Sequence, residues 1–467
     1  MPREHSDVRS GEEEASMKLI TLVAMSLTAA LVSHSAGAKV SAAEAAKLGT
    51  TLTPVGAEMA GNKDGTIPAY TGGMKTLPAS FNGYKQGDYY PDPFPEDKPL
   101  FTITHDNYKQ YASKLAVGSA ALLERYPDYS IKVYPTRRTV VLPDAVYNAT
   151  KANATTATMV GDDGLKDATL GFPFPIPQNG AEVLWNHKVR YRGDSVIQNG
   201  TLFVVQPTGK FEESFFRTSA QFVYGNVKKP GTIADNLVLQ VLRQELAPPR
   251  VAGSLTLAWD HLDGGRDAWQ YSPGTNRVRQ APIVAFDNPV IGSDGLQVVD
   301  QADMFNGSMQ RYTWKLIGKK EIYVGYNNYK LVRPELKYAE LIKPLHLNPA
   351  YPRYELHRVW VVEANLKPGI NHIFKRRTFY VDEDSWNVVA VDCYDAREQL
   401  WRFQEGYVIP LVVDKAVVAA PLMIYDLFSR RYLINNLPNE QGYIAKFGMS
   451  FPAGFFTPQS LQKQGRD

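Results

Sequence analysis

From residue 195 onward, apolar and polar side chains alternate with a period of two; before that point they do not. Residues 195–206, 213–224, 237–246, 254–262 and 268–279 each read as a strand with one buried face. Their joints carry Gly225, Pro248-Pro249, Gly264-Gly265 and Pro273-Gly274, residues that punctuate strands with turns. Within the first stretch, Asn199-Gly200 separates Val196-Ile197 from Leu202-Phe203-Val204-Val205 and predicts a tight hairpin there. Further strands are expected at 321–329, 354–365, 373–381 and 388–394. The last two are joined by Asp382-Glu383-Asp384-Ser385, read as a solvated polar turn. These connections are too short for crossover helices, so the strands form an antiparallel meander. The residues beyond 394 are expected to form an irregular tail.

Ahead of the meander the period is helical. Thr104 is positioned as an N-cap, and Tyr108, Tyr111, Leu115, Ala116, Ala120, Leu122 and Leu123 continue one stripe to residue 125. A weaker helix is expected over 144–159. The run Phe172-Pro173-Phe174-Pro175-Ile176-Pro177 is a stiff extended connector, because proline fixes φ and disfavours helix in the residue before it. A third helix follows over 180–190, with Val183, Leu184 and His187 on one side. Residues 39–103 show little periodicity and much Gly, Pro, Asn and Asp, yet they hold Ile67, Tyr70, Met74, Phe81, Tyr84, Tyr89 and Tyr90. So many apolar anchors predict an extended arm laid over a folded body rather than a disordered linker. The expected order is therefore arm (39–103), helical segment (104–194) and meander with tail (195–467), in one folded unit. This is an α+β chain with a large antiparallel sheet. A sheet of about ten or more strands must curl; helices over its concave face would shelter an apolar interior.

The start of the chain changes where this unit is expected to reside. Met17 and Lys18 precede an apolar stretch over 19–32 that is interrupted by Ser26 and Thr28, and Ala36-Gly37-Ala38 closes it. A charged start, a short apolar core and a small-residue exit are the parts of a secretory signal. The run is short of the about 20 residues of a membrane helix. The acidic Glu12-Glu13-Glu14 ahead of it is wrong for a signal, so Met17 is the expected start and cleavage falls after Ala38. The sole cysteine, Cys393, lies far from the signal, which excludes a lipid anchor there and a disulfide within the chain. No later apolar run reaches membrane length. The expectation is a periplasmic protein without a lipid anchor.

Charge and chemistry narrow the function further. A net charge of +3 over 467 residues offers no concentrated basic face for nucleic acid. The eight histidines show neither HxH nor HExxH spacing, so no metal site is expected. GxSxG, GxGxxG and P-loop patterns are absent, and with them the usual signals for a hydrolase elbow or a nucleotide cofactor. Cys393 sits in an expected strand and reads as a buried thiol. No catalytic residue and no cofactor are expected. The 26 Tyr, 20 Phe and 7 Trp suit both strands and apolar pockets. Two clusters pair such rings with arginine: Trp185 with Arg190, Tyr191 and Arg192, and Trp269 and Tyr271 with Arg277 and Arg279. Arginine stacks on rings and holds anionic groups, so these eight are the candidate ligand-binding residues; a rim of cation–π and salt-bridge contacts is the alternative.

Several stretches carry a family resemblance: LTPVGAEMAGNKDGTIPAYTGG at 52–73, KPLFTITHDNYKQYASKL at 98–115, YPTRRT at 134–139, GFPFPIPQNGAEVLWNHKVRYRG at 171–193, DAWQYSPGTNRVRQAP at 267–282, DMFNGSMQRYTWKLIGKKE at 303–321 and YVDEDSWNVVAVDCYD at 380–395. In these the chain resembles a proteobacterial periplasmic family of unknown function described as outer-membrane lipoprotein-sorting-like. The resemblance implies a LolA/LolB-like half-barrel closed by helices over an apolar cavity. It also implies envelope partners: an inner-membrane exporter of the resistance–nodulation–division type and an outer-membrane barrel protein. It carries over no catalytic residue.

These readings converge on a periplasmic binding or carrier protein for a lipid or other hydrophobic molecule. An exported hydrolase of lipid or polyester-like substrates and an envelope scaffold without ligand stand as alternatives. N-terminal sequencing of the exported protein should return Lys39 as the first residue; any other start moves the boundary.

Overall fold

The computed structural model describes residues 40–465 except 86, 230–235, 282–285 and 443–444. The leader and the signal with its cleavage point lie outside the described residues. The strands are β1 (Phe101–Thr104), β2 (Ser130–Val133), β3 (Thr158–Val160), β4 (Gly164–Lys166), β5 (Ser195–Val205), β6 (Phe211–Phe222), β7 (Leu237–Ala247), β8 (Leu255–His261), β9 (Arg266–Ser272) and β10 (Arg277–Gln280). There follow β11 (Tyr312–Gly325), β12 (Tyr354–Leu366), β13 (Arg376–Asp382), β14 (Val388–Tyr394), β15 (Leu400–Leu411), β16 (Ala416–Asp426), β17 (Tyr432–Asn435) and β18 (Lys446–Phe447). Apart from the small β3–β4 hairpin, they form one sixteen-stranded, mostly antiparallel sheet that does not close.

The sheet is two meanders joined edge to edge. One runs β5 to β10 and the other β11 to β17, and β17 pairs antiparallel with β5. The second meander curls enough that Tyr326, just past β11, bridges to Val408 on β15. The helices divide between the two faces. Helix Val117–Arg125 sets its first amides on Asp392, with the Gly118 N–H donating over 2.7 Å. Gly118 lies so close to Phe403 that a Cβ would come within 2.1 Å of the ring, which explains a glycine inside a helix despite its conformational cost. Helix Gly180–Val189 lies against Val362 and Trp314. Val362 pairs with Phe379, which pairs with Val391, so this helix sits on the face opposite Asp392. Residues 286–311 cross that same face between the meanders and bury Leu296, Val298, Phe305 and Met309.

Three local expectations are corrected. Asn199-Gly200 is not a turn: β5 runs straight through it. Gly200 pairs with Phe216 on β6 and a Cβ there would meet the Phe216 ring at 2.1 Å, so the glycine makes room for a ring instead of turning the chain. The expected tail contains β15, β16 and β17, buried strands in the middle of the sheet. Finally, Asp382, Glu383 and Asp384 are not solvated; each is at most 3 % exposed.

That acidic turn is where the N-terminal arm docks. Arg138 donates from Nη2 to Asp384 Oδ1 over 2.6 Å and from Nε to Asp384 Oδ2 over 2.8 Å. Lys319 bridges Glu383 (2.7 Å) and Glu58 of the arm (3.0 Å). Trp386, fully buried, donates its indole N–H to the Val55 carbonyl, and the Arg358 guanidinium donates to the Ala60 carbonyl. Further along, Phe81 and Tyr90 of the arm pack with Tyr329 and Ile409. A buried carboxylate is tolerable only when paired and hydrogen-bonded, so the arm's cover and the cations are parts of one arrangement.

His357 belongs to the same region, 3.3 Å from Asp382 Oδ1 and 3.2 Å from Glu355 Oε2. Burial alone would discharge it, but the two adjacent carboxylates raise its pKa to about 9. Against an unfolded value of about 6.5, its charged form stabilises the fold fully below that pH, and the contribution is lost as pH rises through about 9. The effect is on the order of 3 kcal/mol. His357→Gln should therefore cost most of that near pH 6 and far less near pH 10, read by urea unfolding; an equal cost at both would remove the histidine from this role.

Candidate functional site

A cavity of about 270 Å³ opens where the two meanders join. Its walls come from β5 (Val196, Gln198), β6 (Phe216, Ala220, Phe222), β7 (Leu239, Val241) and the β16 stretch from Val417 to Leu422. Val196 pairs with Ala220 and Ala220 with Val241, so these three lie in a row on one face. Small side chains at Ala220, Ala419 and Ala420 leave the space unfilled. Polar groups stand at the rim: Arg190 and Arg192 after helix Gly180–Val189, Asp303 and Asn306 from the crossing segment, Arg243 on β7, and Asn435.

The two arginines share one carboxylate. Arg190 Nη2 lies 2.5 Å from Asp303 Oδ1 and Arg192 Nη1 lies 2.6 Å from Asp303 Oδ2. Against the cost of burial, the Arg190 and Arg192 charges hold Asp303 well below the usual carboxylate range. Arg190 is fixed by three more contacts, to the Asn387 side chain and to the carbonyl and Nδ1 of His187. The Val388 N–H also points at His187 Nδ1, so the satisfying tautomer carries its proton on Nε2 and donates to the Asp303 carbonyl 2.9 Å away. Burial, and then the Arg190 charge, lower His187 to about 3, so it is neutral and structural. Arg192 is freer: its guanidinium lies 4.6 Å from the Phe222 ring centre, and its buried Nε has no partner. Burial lowers it to about 10, still charged at neutral pH.

Of the eight residues expected to bind ligand, Arg190 and Arg192 line this cavity. Trp185 is fully buried in a neighbouring core with Lys188 over its ring, and Tyr191 is buried in the main core. Trp269 and Tyr271 pack instead with Trp259, Phe456 and Leu461 on the outer strands. Arg277 and Arg279 are exposed on β10, at the end of the sheet. Asp303 was not singled out, although it opens the quoted stretch at 303–321. The β16 wall was also missed, since that strand was read as tail. Cys393 is buried with its thiol pushed up, chiefly by burial. Among the described residues, no three or more His, Cys, Asp or Glu side chains gather to hold a metal ion. Nor is any helix among them long and apolar enough to cross a membrane.

The chain is thus an α+β protein with a large antiparallel sheet and a part-apolar cavity at the seam of its two meanders. The chain belongs to the family described as protein of unknown function DUF1329, whose model matches residues 102–462. It is 44 % identical over 445 residues to uncharacterized protein PA3922 of Pseudomonas aeruginosa, covering 94 % of this chain and 97 % of that one. Among solved structures it is similar to an outer membrane lipoprotein-sorting protein domain from Vibrio parahaemolyticus, at 15 % identity and a TM-score of 0.42, covering 61 % of this chain and 98 % of that one. It is also similar to the LolA superfamily protein NE2245 from Nitrosomonas europaea, at 11 % identity and a TM-score of 0.37, covering 60 % and 97 %.

Phe216, which lines the cavity, packs directly on Gly200. Gly200→Ala should push the Phe216 ring aside and destabilise the protein by about 1–3 kcal/mol, measurable by chemical denaturation; an unchanged midpoint would mean that the ring has room to spare.

Proposed function

We propose that the protein binds and carries a lipid or other hydrophobic molecule in the periplasm. The observation that supports this is the cavity itself. Protein interiors pack densely and leave few voids larger than a water molecule. A space of about 270 Å³ has an apolar side formed by Val196, Ala220, Leu239, Val241 and Leu422, and a polar side that includes Arg190, Arg192 and Asp303, the two-sided lining that suits an amphiphile. An alkyl chain fills it favourably, at about 0.8 kcal/mol per buried methylene. The rim then orients the ligand's polar end. Delivery to an inner-membrane exporter of the resistance–nodulation–division type, or to an outer-membrane barrel protein, is the wider setting proposed from the family resemblance.

Ala220 is the position that tests this. Ala220→Trp puts an indole into the cavity from the middle of β6. Excluding roughly four methylenes of a bound chain forfeits about 3 kcal/mol, or about a hundredfold in affinity. Titration calorimetry with dodecanoate and with dodecanol should show binding by the native protein and that loss in the variant, with folding checked by circular dichroism. If neither compound binds the native protein, or if the variant binds as well, the carrier reading fails.

A further inference from the structure

The rim of the cavity carries one more positive charge than it can neutralise. Arg190 and Arg192 together face the single carboxylate of Asp303. Where two arginines share a carboxylate elsewhere, a further acid completes the balance: Arg137 and Arg353 share Asp97, and Arg353 also reaches Glu355. Asp260 also lies near Arg192, but its two oxygens are taken by Arg266 and the Asn306 amide. Of the two guanidiniums at Asp303, Arg190 is 2 % exposed and has its donors committed, whereas Arg192 is 18 % exposed and leaves Nε without an acceptor. A charge taken this far out of water without a full partner is expensive. The cheapest remedy is an anion arriving from the cavity, since a carboxylate or phosphate offers the paired acceptors that a guanidinium fork fits.

We infer that the ligand is an anionic amphiphile: an apolar chain in the cavity, with a carboxylate or phosphate head held at Arg192. This rests on the carrier reading and narrows it to one ligand class. The arrangement assigns distinct tasks to neighbouring residues. Arg190, locked by Asn387 and His187, positions Asp303; Asp303 holds Arg192 in place while the ligand is absent; Arg192 then receives the head group. Asp303, 30 % exposed, competes with the ligand for the same guanidinium, so it sets affinity as well as geometry.

The test compares equal chains with different heads: dodecanoate, dodecyl phosphate and dodecanol, with acetate and inorganic phosphate as chainless anions, by titration calorimetry on the full protein. Dodecanoate or dodecyl phosphate should bind about tenfold or more tighter than dodecanol, the worth of a hydrogen bond to a charged group. Arg192→Gln should bring that ratio close to one. Asp303→Asn should move it the other way, raising the preference for the anion, and a general folding defect would not produce that gain. Preference for one of the two anionic heads identifies the lipid type. Equal binding of dodecanoate, dodecyl phosphate and dodecanol by the native protein overturns the inference while leaving the carrier reading intact. A preference that survives Arg192→Gln overturns it as well. Binding of acetate or phosphate as tight as that of the long-chain anions would mean a small-anion site and also overturns it. If no chain binds, the carrier reading falls and takes this one with it.

Discussion

Four residue pairs between β17 and β5 hold the two meanders together: Tyr432 with Val205, Leu433 with Val204, Ile434 with Phe203 and Asn435 with Leu202. Tyr432, Leu433 and Ile434 and their three partners are at most 1 % exposed. The pairing is prolonged by the Asn436 N–H donating to the Thr201 carbonyl and by the Thr201 hydroxyl bonding with Leu437. Everything at the cavity depends on this seam. It places β16 across from β5 and β6, so that Ala419 and Ala420 face Val196 and Ala220 around one space. Without it each meander would present an open edge, a template for unwanted pairing.

The other organising feature is the charged interior. The N-terminal arm has almost no regular structure, yet it is held by carbonyls that accept from Trp386 and Arg358 and by the ion pairs of Glu58 with Lys319 and of Asp97 with Arg353. Such pairs are weak evidence of net stability, because desolvation opposes the Coulomb gain. Their effect is on specificity. Asp384 accepts a bidentate fork from Arg138, and Lys319 reaches Glu383 and Glu58 at once. The same logic at the cavity rim leaves one guanidinium short of a partner, and there the imbalance has a use.

Much of the first meander was legible along the chain. Strands β6, β7 and β8 were found within a few residues, because one face of each is more exposed than the other and the alternation survives. The helix over Gly180–Val189 and the strand Val388–Tyr394 were legible too. The strands β15, β16 and β17 were not. Ten of the twelve residues in β15 are buried, on both faces, and a strand covered on both sides has no alternation to read; β14, buried throughout, was legible by its run of valines instead. Asn199-Gly200 misled for a related reason: a glycine that accommodates a ring from the next strand looks, locally, like a glycine that turns.

The order of residues alone determined the α+β class and the antiparallel meander, since these follow from local period and side-chain chemistry. Tertiary structure decided which of the eight candidate residues reach a common space. It joined Arg192 to Asp303, 111 residues further along, and kept Trp269 and Tyr271 with the outer strands. It also turned three consecutive acids from a presumed surface turn into a buried anchor. The reason is the same in each case: burial and charge pairing are properties of what lies across the sheet, and a strand's partner across the sheet is set by seams such as β17 to β5 rather than by its neighbours in the chain.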